Sequence, residues 1–341
     1  MRILVIGGTG FIGPHVVAAL RTQGHEVGIF HRGTHGGGLP PGVASLLGDR
    51  RRLAEHREEL AAWAPEVVID LILSSGRQAA ALMAAFRGVA RRVVAASSMD
   101  VYRACGVLHG LEAGGLEPLP LTETSALRSG AVYPPERIKM LQSVFAWLDD
   151  EYDKIPAERA LLGDPHLPAT VLRLPMVYGP GDPLHRFHAL LKRMDDARPA
   201  IVYEEEFARW RGSKGYVENV GQAIALAAVA EEAKGRVYNV AEPEARTELE
   251  WAQRVAEATG WAGRLLTLPR ERTPAHLLLP GNAAQHWVAS SQRIRDELGY
   301  REAVPFEEGL RRTIAWERAH PPATVDPRQF DYAAEDEALA P

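Results

Sequence analysis

The stretch RILVIGGTGFIG, residues 2–13, decides the fold. A short run rich in Ile, Leu and Val ends at Gly7, and Gly10 and Gly13 follow at three-residue spacing. Directly after them, HVVAALRTQG (15–24) carries apolar residues at helical intervals. A strand, a glycine loop and a helix in that order form a dinucleotide-binding turn. Gly7 permits the sharp turn, Gly10 lets backbone approach a pyrophosphate, and Gly13 lets the helix lie close to the strand. The unpaired N–H groups of the first helical turn then face an anion, with the helix dipole behind them. Thr9, Phe11 and Ile12 lie between the glycines and share that loop.

Working outward, three further Val- and Ile-rich runs follow: HEVGIFHR (25–32), EVVIDLI (66–72) and RRVVAASS (91–98). Helical patterns at 52–63 and 76–88 separate the later ones. Strands alternating with helices, and apolar along their whole length, predict a doubly wound parallel sheet covered on both faces. ATVLRLPMVYG (169–179) and RVYNVAE (236–242) read as later strands, and 215–232 as a turn entering a helix. The spacing of Ile138, Leu141, Phe145 and Leu148 predicts a short helix over 137–150.

This gives a Rossmann-type domain over 1–182, to which 215–232 and 236–242 return. A smaller helix-rich substrate lobe is expected over 183–214 and 243–320. The tail 321–341 is acidic, lacks apolar periodicity, and is expected to fray.

Composition narrows the function. The 341 residues carry a formal net charge of −5, with 46% hydrophobic and 24% charged residues. That balance argues against nucleic-acid binding through bulk positive charge. The single cysteine, Cys105, excludes an intrachain disulfide, and nothing in its sequence surroundings would activate it as a nucleophile. No apolar stretch approaches the ~20 residues that span a bilayer, and no basic leader precedes the first strand, so a cytoplasmic chain is expected. His185 and His188 are three apart but have no evident third ligand, so no metal is expected.

The end of the second strand bears on which nicotinamide cofactor binds. An acid there would take the ribose 2′-hydroxyl, whereas this chain has His31 and Arg32. A guanidinium at that point suits a 2′-phosphate, so NADP is favoured over NAD.

Five segments occur in a telling order: GGTGFIG, SSMDVY (97–102), RLPMVYGPGD (173–182), YVENV (216–220) and YNVAEP (238–243). Together they resemble the extended short-chain dehydrogenase/reductases, in their NAD-dependent epimerase/dehydratase branch, over residues 1 to about 310. The resemblance implies a Ser/Thr–Tyr–Lys catalytic group, oxidoreductase or isomerase activity, and a small-molecule substrate such as a nucleotide sugar. It also implies dimerisation through helices flanking the catalytic site. By position Ser98 matches the catalytic serine and Asp49, after Gly48, the adenine-side acid. Leu73, Ser97, Pro175 and Val177 fall where relatives line the cofactor.

The catalytic stretch EYDKIPAERALL (151–162) departs from that pattern. The family spaces tyrosine and lysine four apart, one helical turn. Lys154, followed by Glu158, matches the family lysine, which is often followed by glutamate at that distance. The tyrosine position is then Asp150, and the nearest tyrosine, Tyr152, would point about 200° away on a helix. Pro156, however, is comfortable only in a first helical turn, which places the helix start near Asp153 or Lys154 and residues 150–152 in a bend. Ser98 and Lys154 are therefore catalytic candidates together with Tyr152 or Asp150, with Tyr133 and Tyr102 as other sources of a phenol. Asp150 could equally form an ordinary ion pair with Lys154. Two functions remain: an atypical NAD(P)-dependent enzyme, or a catalytically silent cofactor-binding regulator or RNA-binding relative. The chloroplast stem-loop RNA-binding proteins, whose catalytic helices are also altered, exemplify the latter.

Overall fold

A computed structural model describes residues 1–34, 39–131, 133–279 and 281–340. Its strands, in chain order, are β1 (Arg2–Ile6), β2 (Glu26–His31), β3 (Ala44–Leu47), β4 (Val67–Asp70), β5 (Arg92–Ser98) and β6 (Ala169–Leu174). After these come β7 (Met176–Tyr178), β8 (Ala200–Glu204), β9 (Lys214–Tyr216), β10 (Val237–Asn239) and β11 (Arg264–Leu268). Seven of them form the expected parallel sheet, in the order β10-β6-β5-β4-β1-β2-β3. The order reverses between β1 and β4, where a crevice opens beyond the carboxyl ends of the strands.

Ile3, Leu4, Val5 and Ile6 are fully buried, because successive side chains of β1 enter opposite layers. Burying each such side chain contributes ~1.5–3 kcal/mol, so the first strand anchors both cores. The helix Gly13–Thr22 packs on the helix Val217–Val229. A Cβ at Gly221 would sit 2.7 Å from His15 Cβ, so that glycine sets how closely the two helices approach. On the other face, the helix Gly76–Phe86 packs against the helix Lys154–Leu162, and a Cβ at Gly76 would meet Pro156 at 2.9 Å.

Two expectations are corrected here. The helix foreseen over 137–150 spans Pro135–Val144 and stops at Phe145, whose φ of −113° and ψ of 79° leave the helical region. The tail is not frayed over its described residues, which exclude Pro341. Residues Tyr332–Ala338 form a helix, and Arg193 holds Glu335 at 2.6 Å with both side chains buried. Phe330 and Tyr332 also lie beside the Arg193 guanidinium. Cation–π contact and buried ion pairing replace the missing apolar periodicity. Among the described residues no helix is long and apolar enough to cross a membrane.

Candidate functional site: a cofactor cleft and a buried acid cluster

The glycine loop opens onto a cleft of about 420 Å³. Gly7 adopts a φ of +84° and its carbonyl accepts the Gly10 N–H at 3.2 Å, which tightens the turn. A Cβ at Gly13 would lie 2.4 Å from the Gly8 carbonyl carbon, a backbone atom that cannot move aside. No side chain caps the helix that starts at Gly13; Pro14 carries no N–H and His15 donates to the Ile12 carbonyl at 3.2 Å, so the Gly13 N–H and the helix dipole are what this turn offers an anion. This cradle fits the pyrophosphate of a dinucleotide.

Gly7, Thr9, Gly10, Phe11, Ile12 and Gly13 line the cleft, as do His31, Arg32 and Asp49. The Asp49 carboxylate is already engaged by the Arg51 guanidinium at 2.7 Å and by its backbone N–H. That hydrogen bonding holds its pKa below the ordinary value, with Arg32 contributing. Leu71 and Ile72 form the floor, whereas Leu73 turns its buried side chain into the core. Phe145 and Trp147 form another wall, made available by the early end of the preceding helix. Pro175 packs near Gly215, and Val177 belongs to the core beneath.

At the end of β5 the chain turns through Met99–Val101, where Ser98 Oγ accepts the Asp100 N–H at 3.1 Å. Ser97 instead donates to Glu158 at 2.6 Å. Glu158 also receives two hydrogen bonds from Arg173, at 3.0 and 2.7 Å, and all three side chains are buried. The glutamate four residues after the lysine is thus tied to β5 and β6 inside the sheet and fixes the helix that carries Lys154.

Lys154 is the first residue of that helix, and Asp153 caps it by accepting the Ile155 N–H at 3.0 Å. Asp153 itself is extended, with φ −160° and ψ 119°. In extended backbone, residues two apart point to the same side. Tyr152 and Lys154 therefore share a side: the Lys154 ammonium lies 5.8 Å from the Tyr152 ring centroid. Asp153 turns the other way and pairs with Arg128 at 2.5 Å. The 200° separation holds only on a helix, and the helix has not yet begun at Tyr152.

The buried Lys154 ammonium donates to the carbonyl of Leu73 and, at 3.1 Å, to that of Ala96. Burial lowers its pKa to about 8, against the opposing pull of Asp100, Asp70 and Glu158. Asp150 forms no ion pair with it. That carboxylate lies out at the surface and accepts from Gln142 Nε2 at 2.9 Å.

The Tyr152 hydroxyl donates to Asp100 at 2.8 Å, and the Tyr133 ring packs 5.8 Å from the Tyr152 ring. Burial pushes both phenols above their ordinary pKa, with the Asp100 charge adding to the effect. Tyr102 is wholly buried, donating to Asn239 at 2.6 Å and accepting from Arg173 at 3.0 Å, which makes it part of the sheet edge. Burial raises the Cys105 thiol, leaving it inert. His185 accepts or donates at Glu317 over 2.8 Å and stacks on Trp316. Among the described residues no group of three metal-binding side chains occurs. Sequence reasoning did not single out Asp100, Phe145 or Trp147. An acid two residues beyond Ser98, between Met99 and Val101, was the available signal for the first.

The family model described as the NAD dependent epimerase/dehydratase family matches residues 3–241. The 2′-dehydrokanamycin reductase of Streptomyces kanamyceticus is 28% identical, over 80% of this chain and 70% of its own. The 2-alkyl-3-oxoalkanoate reductase of Stenotrophomonas maltophilia is 26% identical, over 92% and 99%. Among solved structures, the UDP-glucose 4-epimerase of Thermotoga maritima with UDP-glucose aligns with a TM-score of 0.66 at 20% identity, covering 94% of this chain and 99% of that one. The Thermus thermophilus UDP-glucose 4-epimerase complex with NAD gives 0.64 at 24% identity, covering 93% and 99%.

Proposed function

The chain belongs to the NAD-dependent epimerase/dehydratase family of enzymes, and we propose that it oxidises, reduces or epimerises an alcohol or carbonyl carbon of a nucleotide sugar or similar polar substrate, with Tyr152 as its proton-moving phenol. One observation carries this reading: Tyr152 and Lys154 converge on one side of the chain although their spacing is two and not four, and the Lys154 ammonium lies 5.8 Å from the ring of Trp147, which lines the cleft. The separation that suggested a silent binder lies in the sequence pattern and not in space.

A nicotinamide cofactor bound at the glycine loop would supply or accept hydride. The loop and the helix behind it would hold its pyrophosphate, and the Lys154 ammonium its nicotinamide ribose. Phe145 and Trp147 line the same cleft, with the Lys154 ammonium 5.8 Å from the Trp147 ring. Lys154 favours developing negative charge on Tyr152 as the phenol releases its proton. Ser98, half-buried at the strand end, positions the substrate oxygen.

NADP is the preferred cofactor in this reading. Arg32 lines the adenosine end of the cleft, and the nearest acid, Asp49, is neutralised by Arg51. A 2′-phosphate there meets two guanidinium groups and no free carboxylate.

The test is to incubate purified protein with NADP or NAD and UDP-glucose, UDP-N-acetylglucosamine or dTDP-glucose. Nicotinamide absorbance and sugar products are then followed. Turnover that collapses in Lys154→Ala supports the reading. Absence of turnover, with cofactor affinity unaltered by Lys154→Ala, contradicts it.

A further inference from the structure

We propose that Asp100 is the proton-holding partner of Tyr152, so that the proton exchanged with substrate passes through the phenol to and from this carboxyl group. The inference rests on the reading of Tyr152 as the substrate-facing phenol, and it assigns a role to a residue outside the family's Ser/Thr–Tyr–Lys group.

Asp100 is 2% exposed, on the turn that follows β5. One carboxyl oxygen, Oδ2, lies 2.8 Å from the Tyr152 hydroxyl. The other, Oδ1, is buried with no hydrogen-bond partner among the described residues. An ordinary structural aspartate would have both oxygens satisfied, because an orphaned buried acceptor costs about 1–3 kcal/mol and more when charged. One oxygen left bare and the other on a phenol, an arrangement that Glu242 shares on Tyr178, suits a carboxyl group that changes protonation, and at Asp100 the phenol is Tyr152 itself.

The groups facing Asp100 come from several elements. Ser98, Tyr152, Arg128 and Lys154 favour its ionised form, while burial works against it and raises its pKa overall. Tyr133 and Cys105 also feel its charge. Burial thus opposes the charge on Asp100 that these four neighbours favour.

The hydrogen bond between Asp100 and Tyr152 can run either way. With Asp100 ionised, the phenol donates to it. With a proton on Oδ2, the carboxyl group donates to the phenolic oxygen and frees the phenol's own hydrogen to face the substrate. When a substrate carbonyl accepts hydride from reduced nicotinamide, its oxygen takes the Tyr152 proton and the Tyr152 oxygen takes the Asp100 proton. Asp100 is left as carboxylate. Two O–H bonds break, two form, and Tyr152 is neutral before and after. Oxidation of an alcohol runs the same transfers backwards. This avoids a buried tyrosinate, which the surroundings of Tyr152 strongly disfavour.

Infrared difference titration of the protein without added ligand tests the idea independently of any substrate. A carboxylic-acid C=O band should titrate above the ordinary aspartate range, vanish in Asp100→Asn and shift in Tyr152→Phe. Absence of the band, or a band indifferent to Tyr152→Phe, overturns the proposal. With whichever of the three nucleotide sugars turns over, Asp100→Asn should lower kcat about 10- to 100-fold with KM little changed. It should also remove one limb of the pH profile, and Asp100→Glu should restore part of the loss. An unchanged profile in Asp100→Asn overturns the proposal even where turnover exists. Failure of all three sugars counts against the proposed substrate class and leaves the infrared result to decide on Asp100.

Discussion

The glycine loop and residues 150–158 present one sequence pattern each, and they translate into structure differently. At the glycine loop, three-residue spacing maps directly onto a turn in which each glycine meets backbone or a tight φ. At residues 150–158 the spacing misleads, because it presumes a helix over 150–153, where a turn and the extended Asp153 precede the helix. Lys154 begins the helix, Asp153 caps it, and Tyr152 precedes it. A period of 3.6 applies only where the backbone is helical; just upstream the period is two. The same tyrosine and lysine that diverge under one assumption meet under the other.

The largest expected effect sharpens this contrast at the catalytic end. Tyr152→Phe should lower turnover by about 10²- to 10⁴-fold, the usual contribution of a proton-transferring group, with cofactor affinity little changed. Steady-state kinetics together with calorimetric cofactor titration would separate the two. Next, at the loop, Gly13→Ala forces a Cβ into the Gly8 carbonyl carbon. Overpacking of this kind costs about 1–3 kcal/mol, so calorimetry should record cofactor binding weakened by roughly tenfold or more. Arg32→Ala should weaken NADP by about tenfold and leave NAD nearly unaffected, since a charge-assisted hydrogen bond contributes about 1.5–3 kcal/mol. Equal losses for both cofactors would break the assignment of Arg32.

A fourth effect is one of stability. Burial lifts Glu242 from 4.5 to about 7. Between those values the folded chain holds a proton that the unfolded chain has released, so stability falls as pH rises through the window. Melting curves from pH 4.5 to 7 should therefore decline more steeply in the wild type than in Glu242→Gln. The smallest effect is expected of Asp150→Asn, because Asp150 lies at the surface on Gln142 and away from Lys154. A large kinetic loss there would restore the four-residue pairing.

How legible each part was follows from its physics. The sheet was readable because a strand buried on both faces must be apolar along its middle, as Ile3–Ile6 of β1, Val67–Ile69 of β4 and Val93–Ala96 of β5 are. The glycine loop was readable because the positive φ at Gly7 and the backbone packed against Gly13 leave no room for another side chain. Pro156 correctly marked the helix start, through its missing N–H. Asp100 was not readable: its role depends on Tyr152, 52 residues away, and no local period connects them. The end of the helix at Val144 was hidden because Phe145 and Leu148 continue an apolar period while their backbone leaves the helix. The docked tail was hidden because its partners, Arg193 and Arg198, lie more than 130 residues earlier.

A crystal structure with cofactor bound tests the central claim most directly. The expected result is the Lys154 ammonium on the nicotinamide ribose, the Tyr152 hydroxyl on that same side within ~3 Å of a substrate oxygen, and Asp150 still outside the cleft. A structure in which Tyr152 faces away while Asp150, Tyr133 or Tyr102 reaches the nicotinamide would contradict it.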